Sequence, residues 1–540
     1  MSLKNRKWVI KNTSTPVSSQ EVIDLLLANR GITTAAAVNL FLKPPSPASL
    51  TINNIGILQK SLTKSLDLIY EAKKNDTGVL IYGDYDVDGI CATAIMWEAL
   101  HRFGIRAYPY IPNRFTDGYG LRAERAIKLA TKQNAGLVIT VDNGISSAKE
   151  VEKIKQAGLH VLITDHHREH EVSPSADSVF HTTEVCGAAI AWFLAREFDD
   201  NADISLAAIA SITDQMKLVG PTRSIVTEGL DELNHSERPG ILALRETINT
   251  DKRIGVYEIG YLIGPRINAA GRLEDGIEAL RMLCTTDITR ASALANKLNV
   301  INLQRQNMVD GAVKKAIGQV SKEKIIVIDD DYHEGIIGLI AGKLVEEFYR
   351  PAIVISTLSK QILKGSARSV EGFSILNAIA GQKVILENFG GHTMAAGFSL
   401  LTRNLDQFKE GIKEFADKYS KDIDSEPTMG VDMKLDFSQI KDELVEALSL
   451  FEPTGIGNPK PTFVIERLSL FDAKTVGKDM SHLKMRLGNS TSQLDAIGFG
   501  MGEYLPMIRN KKDLSCLATL EVNEWNGKKN IQLVVKDIAI

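Results

Sequence analysis

The stretch 79-VLIYGDYDVDGICATAI-95 sets three acids, Asp84, Asp86 and Asp88, at alternate positions directly behind an apolar run. Like charges that close repel one another and lose hydration if buried, so the spacing calls for a compensating cation or a solvated turn. The apolar run reads as a strand, and Ile90 to Phe103 as a helix. The same alternation continues downstream. "IRAYPYIP" is a second strand, followed by a helix over 122–133; "GLVITV" is a third, followed by a helix over 148–157; "LHVLIT" is a fourth. β-Branched runs separated by helix-length segments predict βαβ units and a parallel sheet.

In an open parallel sheet the carboxyl ends of all strands lie on one edge, where ligands bind. Three of the predicted strands end in the same chemistry: Asp84-Tyr85-Asp86-Val87-Asp88, Asp142-Asn143-Gly144 and Asp165-His166-His167. Asp214, closing the apolar helix "LAAIASIT", is a fourth carboxylate able to complete the cluster. A single Asp behind a strand is usually a turn or cap residue, but three strand ends loaded alike are hard to attribute to capping. Clustered carboxylates with imidazole suit Mg²⁺ or Mn²⁺, the His tilting the choice toward Mn²⁺. Two such ions about 3.5–4 Å apart can share a bridging carboxylate, activate water and neutralise a phosphate, which suits phosphoester hydrolysis.

Other readings of these motifs fail. Asp84-x-Asp86-x-Asp88-Gly89 matches half an EF-hand loop, yet Ile95 stands where that loop needs a bidentate Glu. "HHREH" (166–170) fits an inverted zinc-peptidase signature, but a strand leads straight into it and Pro174 follows, leaving no helix to present both histidines. "GLIAGKL" has the wrong glycine spacing for a phosphate loop, with Leu344 in place of Ser or Thr.

The 540 residues suggest two to four domains. The expected organisation is a helical extension and linker over 1–77, an α/β domain over 78–274, a connecting helix over 275–320, a second α/β unit over 321–425, and a barrel of short strands over 426–540, with the oligonucleotide-binding (OB) fold as its candidate. Cys91, Cys186, Cys284 and Cys516 lie far apart and read as reduced thiols of a cytoplasmic protein. No apolar run reaches the roughly 20 residues that span a bilayer, and "MSLKNRKWVIKN" lacks a signal-peptide core. A formal net charge of −4 excludes a polycation, so any nucleic acid must bind in a local groove.

"GDYDVDG", "VDNG" and "DHH" resemble the signature of the DHH phosphoesterase superfamily. The remaining chain is similar to its RecJ branch, the single-stranded-DNA-specific exonucleases, through "IPNRFTDGYGL", "CGAAIAWFL", "GPRINAAGR", "HEGIIGLIAGKL", "GSARS", "GGHTMAAGF" and "GIGNPKPTF", together spanning about 78–463. The resemblance implies a DHH domain, a linking helix, a DHH-associated domain and an OB fold. It implies metal ligands at Asp84, Asp86, Asp142, His166 and Asp214, with Asp142 bridging two Mn²⁺ or Mg²⁺ ions. His167 would contact the scissile phosphate or leaving group, while Asp165 and Asp88 orient the ligands from behind. Arg114 and Tyr119, with Ser366 and Arg368, would hold the 5′ end and its phosphate, since guanidinium forks match phosphate oxygens. Arg266, Asn268, Arg272 and His392 would line the cleft between the two α/β domains.

The implied activity is degradation of single-stranded DNA from its 5′ end to mononucleotides in DNA repair and recombination, by a monomer working with a helicase and a single-strand-binding protein. Trp525, beside Lys528 and Lys529, is a candidate for stacking on bases. Two alternatives belong to other classes. One is a DHH phosphoesterase acting on short oligonucleotides or cyclic dinucleotides, relatives that generally lack the barrel. The other is a non-catalytic replication scaffold, relatives that have lost the metal ligands retained here.

Overall fold

A run such as GVLIY buries every residue only when helices cover both faces of its sheet. The structure, a computed structural model, has that arrangement. It describes all residues except 1, 119, 170, 171, 251, 420–425, 512, 526 and 527, and the side chains of 525 and 528 also fall outside the description. After β1 (Lys7–Asn12), the first α/β domain contains β2 (Gly78–Tyr82), β3 (Ala107–Tyr110), β4 (Ala135–Val141), β5 (His160–Asp165) and β6 (Ser178–His181). Their order is β3-β2-β4-β5-β6, every pair parallel. Val79 and Ile81 pack into a core with the helices Val87–Arg102, Gly187–Ala195 and Ile204–Thr213. Leu80 and Tyr82 point the other way, toward Ala123–Gln133 and Ala148–Gln156. This sandwich brings the acidic segments behind β2, β4 and β5 to one edge.

The predicted helix over 275–320 is two helices, Ile277–Cys284 and Ile288–Ile317. Asp287 is the cause of the break, since its carboxylate accepts from the Thr289 and Arg290 amides at 2.8 and 3.2 Å and caps a new helix. The second helix has 30 residues and so runs about 45 Å. It leads to β7 (Ile326–Asp330), β8 (Ala352–Ser356), β9 (Ile362–Arg368), β10 (Leu386–His392) and β11 (Ala395–Leu401), in the order β10-β11-β9-β8-β7 with only β7 and β8 parallel. The last domain adds β12 (Thr428–Lys434), β13 (Phe463–Val476), β14 (His482–Gly488), β15 (Gln493–Gly498), β16 (Leu514–Trp525) and β17 (Lys528–Ala539). Five of these close into a barrel through the β13–β16 pairing. The α/β class and the OB-type barrel expected from the sequence are thus the observed architecture.

Not every strand was foreseen: β6, β9, β10 and β11 are not read from the sequence, and neither is β1. β1, within the segment read as a helical extension, pairs in parallel with β12 and extends the last sheet. Its sequence KWVIKN alternates in exposure, but a single short strand carries no sign of a partner so distant in the chain.

The first and last domains are joined around Arg223, which is 1% exposed. A guanidinium has five N–H donors and no acceptor. All five are used here on backbone carbonyls: Nε donates to Phe41 (2.8 Å), Nη1 to Phe451 and Pro453 (both 3.1 Å), and Nη2 to Leu450 (3.2 Å) and Glu452 (2.8 Å). Its plane also covers the Phe41 ring at 4.3 Å. Arg30 seals the same junction by donating to Asn458 Oδ1 at 2.9 Å and to the Pro459 carbonyl. "GIGNPKP" and the four residues Leu450 to Pro453 ahead of it are therefore tied to the first domain and the amino-terminal helices by hydrogen bonds. Among the described residues all four cysteines are free, and no helix is long and apolar enough to cross a membrane.

Replacing Arg223 with Met strands five buried carbonyls and should cost about 3 kcal/mol or more in urea unfolding. Arg223→Lys, which has too few donors in the wrong geometry, should recover less than half of that loss.

Candidate active site

The acidic loop behind β2 starts the site. Asp84 is 3% exposed and accepts from the Tyr85 amide at 2.7 Å. Asp86 caps the helix Val87–Arg102, accepting from the Gly89 amide at 3.1 Å. Asp88 lies two residues further on, in the first turn of that helix, and both its oxygens accept 2.7 Å hydrogen bonds from the Gly187 and Ala188 amides. Those amides open the helix Gly187–Ala195, whose N-terminal partial charge favours a carboxylate.

Asp142 follows β4 with a left-handed backbone, φ 61°, a conformation costly for a non-glycine residue. Its Oδ1 is buried with no hydrogen-bond partner, although His166 Nε2 lies 3.2 Å away. A buried oxygen left in that state is stabilised only by a positive neighbour. Asp165, closing β5, sets the histidine pair. Its Oδ1 accepts from the His166 and His167 amides at 2.7 and 3.1 Å and meets His167 Nδ1 at 2.8 Å, while Oδ2 accepts from Ile145 at 2.9 Å. Asp214 ends the helix Ile204–Thr213, with its Oδ2 3.7 Å from His166 Nε2.

These side chains fall into three overlapping groups, each with ligand atoms within 4.8 Å of one another: Asp84, Asp86 and Asp142; Asp142, His166 and His167; Asp88, His166 and Asp214. Asp142 and His166 each belong to two groups, the overlap expected of adjoining cation sites. Protonation behaviour points the same way. Burial, then the charge of Asp86, pushes Asp84 up to about 8. Burial, then Asp88 and Asp86, does the same to Asp214, also about 8. Asp86 and Asp142 are raised for the same reasons, burial first. His166 is held below its ordinary value by burial, leaving a neutral imidazole fit to ligate. Burial opposes charge on His167 too, but its bond to Asp165 prevails and carries it up to about 9. The oxygen-rich donor set with one neutral imidazole fits Mn²⁺ or Mg²⁺.

A second group of residues faces the acids. Arg114 covers the Tyr85 ring at 5.2 Å. Burial, followed by the nearby guanidiniums of Arg114 and Arg305, lowers Arg272 to about 10, with Arg368 adding to the effect and Asp86 opposing it. Four cationic side chains so close call for an anion between them. Arg368 Nη1 donates to Ser366 Oγ at 3.3 Å and to the Ala367 carbonyl at 2.8 Å. Phe115 meets His333 edge-on at 5.5 Å, so the "NRFTDGY" loop touches the "HEGIIG" loop across the two α/β domains. Asn268 Oδ1 accepts from the Val87 amide at 3.2 Å, tying "GPRINAAGR" to the acidic loop. His392 ends β10, in register through Ala395 with Arg368.

Arg266 is occupied elsewhere, donating to Asn299 Oδ1 (3.1 Å) and to the Leu262 carbonyl (2.7 Å). Tyr119, the side chain of Trp525, and His170 of the zinc signature lie outside the described residues. Arg305 was missed from the sequence because the long helix carries many basic residues. Only the fold singles it out, through its tie to buried Asn302, whose Oδ1 accepts from Arg305 at 2.9 and 3.1 Å.

A parallel sheet with this acidic and histidine edge, facing a basic cleft wall, defines a DHH-type phosphoesterase, and comparison with known proteins agrees. Residues 78–213 match the DHH family N-terminal domain, 315–418 the DHHA1 domain and 431–537 the RecJ OB domain. The single-stranded-DNA-specific exonuclease RecJ of Bacillus subtilis is 33% identical, with 98% of this chain and 69% of the relative covered. That of Haemophilus influenzae is 30% identical over 99% of this chain and 98% of the relative. A crystal structure of RecJ in complex with Mn²⁺ from Thermus thermophilus superposes with a TM-score of 0.82 at 26% identity, covering 100% of this chain and 80% of that one. The chain belongs to the RecJ family.

Two outcomes follow from the site. A group whose folded pKa is raised stabilises the fold below its unfolded value and loses that contribution as pH rises through the folded value. For Asp84 and Asp214 that window runs from about 4 to about 8. Without divalent metal, the melting temperature should therefore fall from pH 5.5 to 8.5 more steeply than in Asp214→Asn, and Mn²⁺ should restore it at pH 8. Separately, a Cβ on Gly187 would lie 2.7–2.9 Å from Asp142 Cβ, Oδ1 and Cγ. Gly187→Ala should weaken Mn²⁺ binding at least about tenfold by calorimetry.

Proposed function

We propose that this protein is a divalent-metal-dependent exonuclease that removes mononucleotides from the 5′ end of single-stranded DNA, in DNA repair and recombination. One observation carries the reading: a nest of carboxylates with an imidazole faces a wall of guanidiniums across the cleft between two α/β domains. The first half suits cations and the second a terminal phosphate. A chain with this ligand set intact and a barrel appended is poorly matched to the scaffold and cyclic-dinucleotide alternatives.

Asp84, Asp86, Asp142, His166 and Asp214 would hold two ions, Mn²⁺ or Mg²⁺, with Asp142 shared. Bound there, such ions supply an activated water and charge neutralisation at the phosphodiester. The protein's own groups do the rest. Asp165 fixes the His167 ring by a 2.8 Å bond, and an imidazolium that keeps its proton near neutral pH can donate it to a phosphate oxygen or leaving group. Asp88, itself held by two amides, faces His166 Nε2 at 3.5 Å and orients it. Arg114, Ser366 and Arg368, with Arg272 behind them, would grip a 5′-terminal phosphate, which an internal position does not offer. Asn268 keeps the acidic loop and the cleft wall in register, and His392 borders the same wall. The polarity and the mononucleotide product rest on the resemblance to RecJ. Work as a monomer in the cytoplasm with a helicase and a single-strand-binding protein completes the reading.

The test uses a 5′-labelled single strand, the matching duplex and a dinucleotide with Mn²⁺. The label should leave the single strand as a mononucleotide, the duplex should resist, and Asp142→Ala should lower the rate at least about 10³-fold. Cleavage of the dinucleotide alone would overturn the substrate. Binding should weaken steeply with added salt, because phosphate contacts release counterions; a flat response would remove the basic-groove account.

A further inference from the structure

The helical run that carries the cleft motif extends well beyond the motif. It starts as a π-helix, Glu258–Ile263, and continues as the α-helix Gly264–Leu273. Ile259, Ile263, Ile267 and Ala270 are fully buried and form its inward stripe. The opposite stripe reads Tyr257, Tyr261, Pro265, Asn268 and Arg272, at the three- and four-residue spacing of one helix face. Its far end is already placed: Asn268 bonds to the acidic loop, and Arg272 sits among the guanidiniums.

At the near end, Tyr257 and Tyr261 are 61% and 69% exposed. Their rings stack on each other, centroids 5.0 Å apart and planes inclined by 27°. Two large rings stacked on each other in solvent contribute little to the core, and each keeps one π-face turned away from the other. A wider π-turn is unfavourable in isolation and recurs at functional sites. Here Arg266 braces it by donating to the Leu262 carbonyl at 2.7 Å. Val256, next to Tyr257 in the chain, and Leu218 both lie within 4 Å of a Cβ placed on Gly455, and the Leu218 amide donates to Ile456 of the same barrel-domain loop at 2.7 Å. Tyr257 thus follows directly on a contact with the loop that enters the barrel domain, and the helical run continues from there to the cleft motif.

We propose that Tyr257 and Tyr261 form a base-stacking platform for the single strand, on the 3′ side of the cleavage site and on the same helix face. Eleven residues separate Tyr261 from Arg272, about 16 Å along the axis, which is the rise of about five stacked nucleotides. Bases stack on any aromatic face regardless of sequence, so the platform grips strands without selecting among them. It acts only on strands long enough to reach it, and so sets the minimal length for tight binding and supports successive cuts. The inference rests on the exonuclease reading above, since it needs a strand whose 5′ end lies in the cleft.

The test measures binding of 5′-phosphorylated oligonucleotides of about four and about twenty nucleotides by fluorescence anisotropy, in an Asp142→Asn background that prevents cleavage. Tyr257→Ala with Tyr261→Ala should weaken the longer strand at least about tenfold, with the difference between long and short strands largely erased. Tyr257→Phe with Tyr261→Phe should keep native affinity, because the ring faces and not the hydroxyls do the holding. A 2-aminopurine near the sixth nucleotide should lose its quenching in the alanine variant, whereas one at the second nucleotide should not. Native affinity of the alanine variant for the long strand would overturn the proposal, as would an equal loss on both lengths, which marks a structural role. Failure of the Asp142→Asn protein itself to bind either strand would instead overturn the exonuclease reading.

Discussion

Six acidic side chains and two imidazoles are drawn to one edge of a parallel sheet, and the mutual repulsion of the acids is the constraint on which the rest depends. Burial removes the water that would otherwise screen them, so the carboxylates either take up protons or share cations. The protein prepares the second outcome. Asp88 is neutralised by a helix N-terminus, Asp165 by three amides and an imidazolium, and Asp142 is left with a bare oxygen between neighbours. Groups fully satisfied by the protein thus stand behind groups left wanting. Of these acids Asp142 has a buried oxygen with no hydrogen bond, and it belongs to two of the three groups.

A cluster of this kind is useful only if the opposing cleft wall stays at a fixed distance. The wall comes from four places in the chain: the loop behind β3, the helix Gly264–Leu273, the helix Ile288–Ile317 that carries Arg305, and the second α/β domain. Their contacts run through small residues and backbone. A Cβ on Gly271 would lie 2.2 Å from the Tyr85 carbonyl, and one on Gly338 would lie 2.9 Å from Ser366 Oγ. Such close approach makes the spacing rigid, because no flexible side chain sits between the elements to give way. Arg223 performs the same service at the other end of the molecule, where an arginine serves as a cross-link among carbonyls rather than as a charge partner.

Much of this was legible in the sequence. The parallel sheet was readable because β2, β4 and β5 are continuous apolar runs separated by helix-length segments, and because an Asp behind each strand marks the edge where they meet. The barrel was readable from evenly spaced short strands. What escaped detection depended on distant partners: β1 needed β12, Arg223 needed carbonyls from two remote segments, and Arg305 needed the cleft it enters. The break at Asp287 is a different case, since a Thr-Thr-Asp run competes for backbone amides, and a long helical pattern on either side masked it.

Local chemistry along the chain determined which groups would be acidic, basic or apolar, and the two periods, about 2 and about 3.6, determined which would share a face. That suffices for strands, helices and the list of candidate ligands. Only the tertiary structure decided that Asp142 and His166 belong to two groups at once, that Arg266 turns away from the cleft while Arg305 enters it, and that two tyrosines beside a cleft motif remain in solvent. The reason is that burial and charge coupling are properties of the assembled neighbourhood. They fall off over a few ångströms in space and carry no trace of separation along the chain.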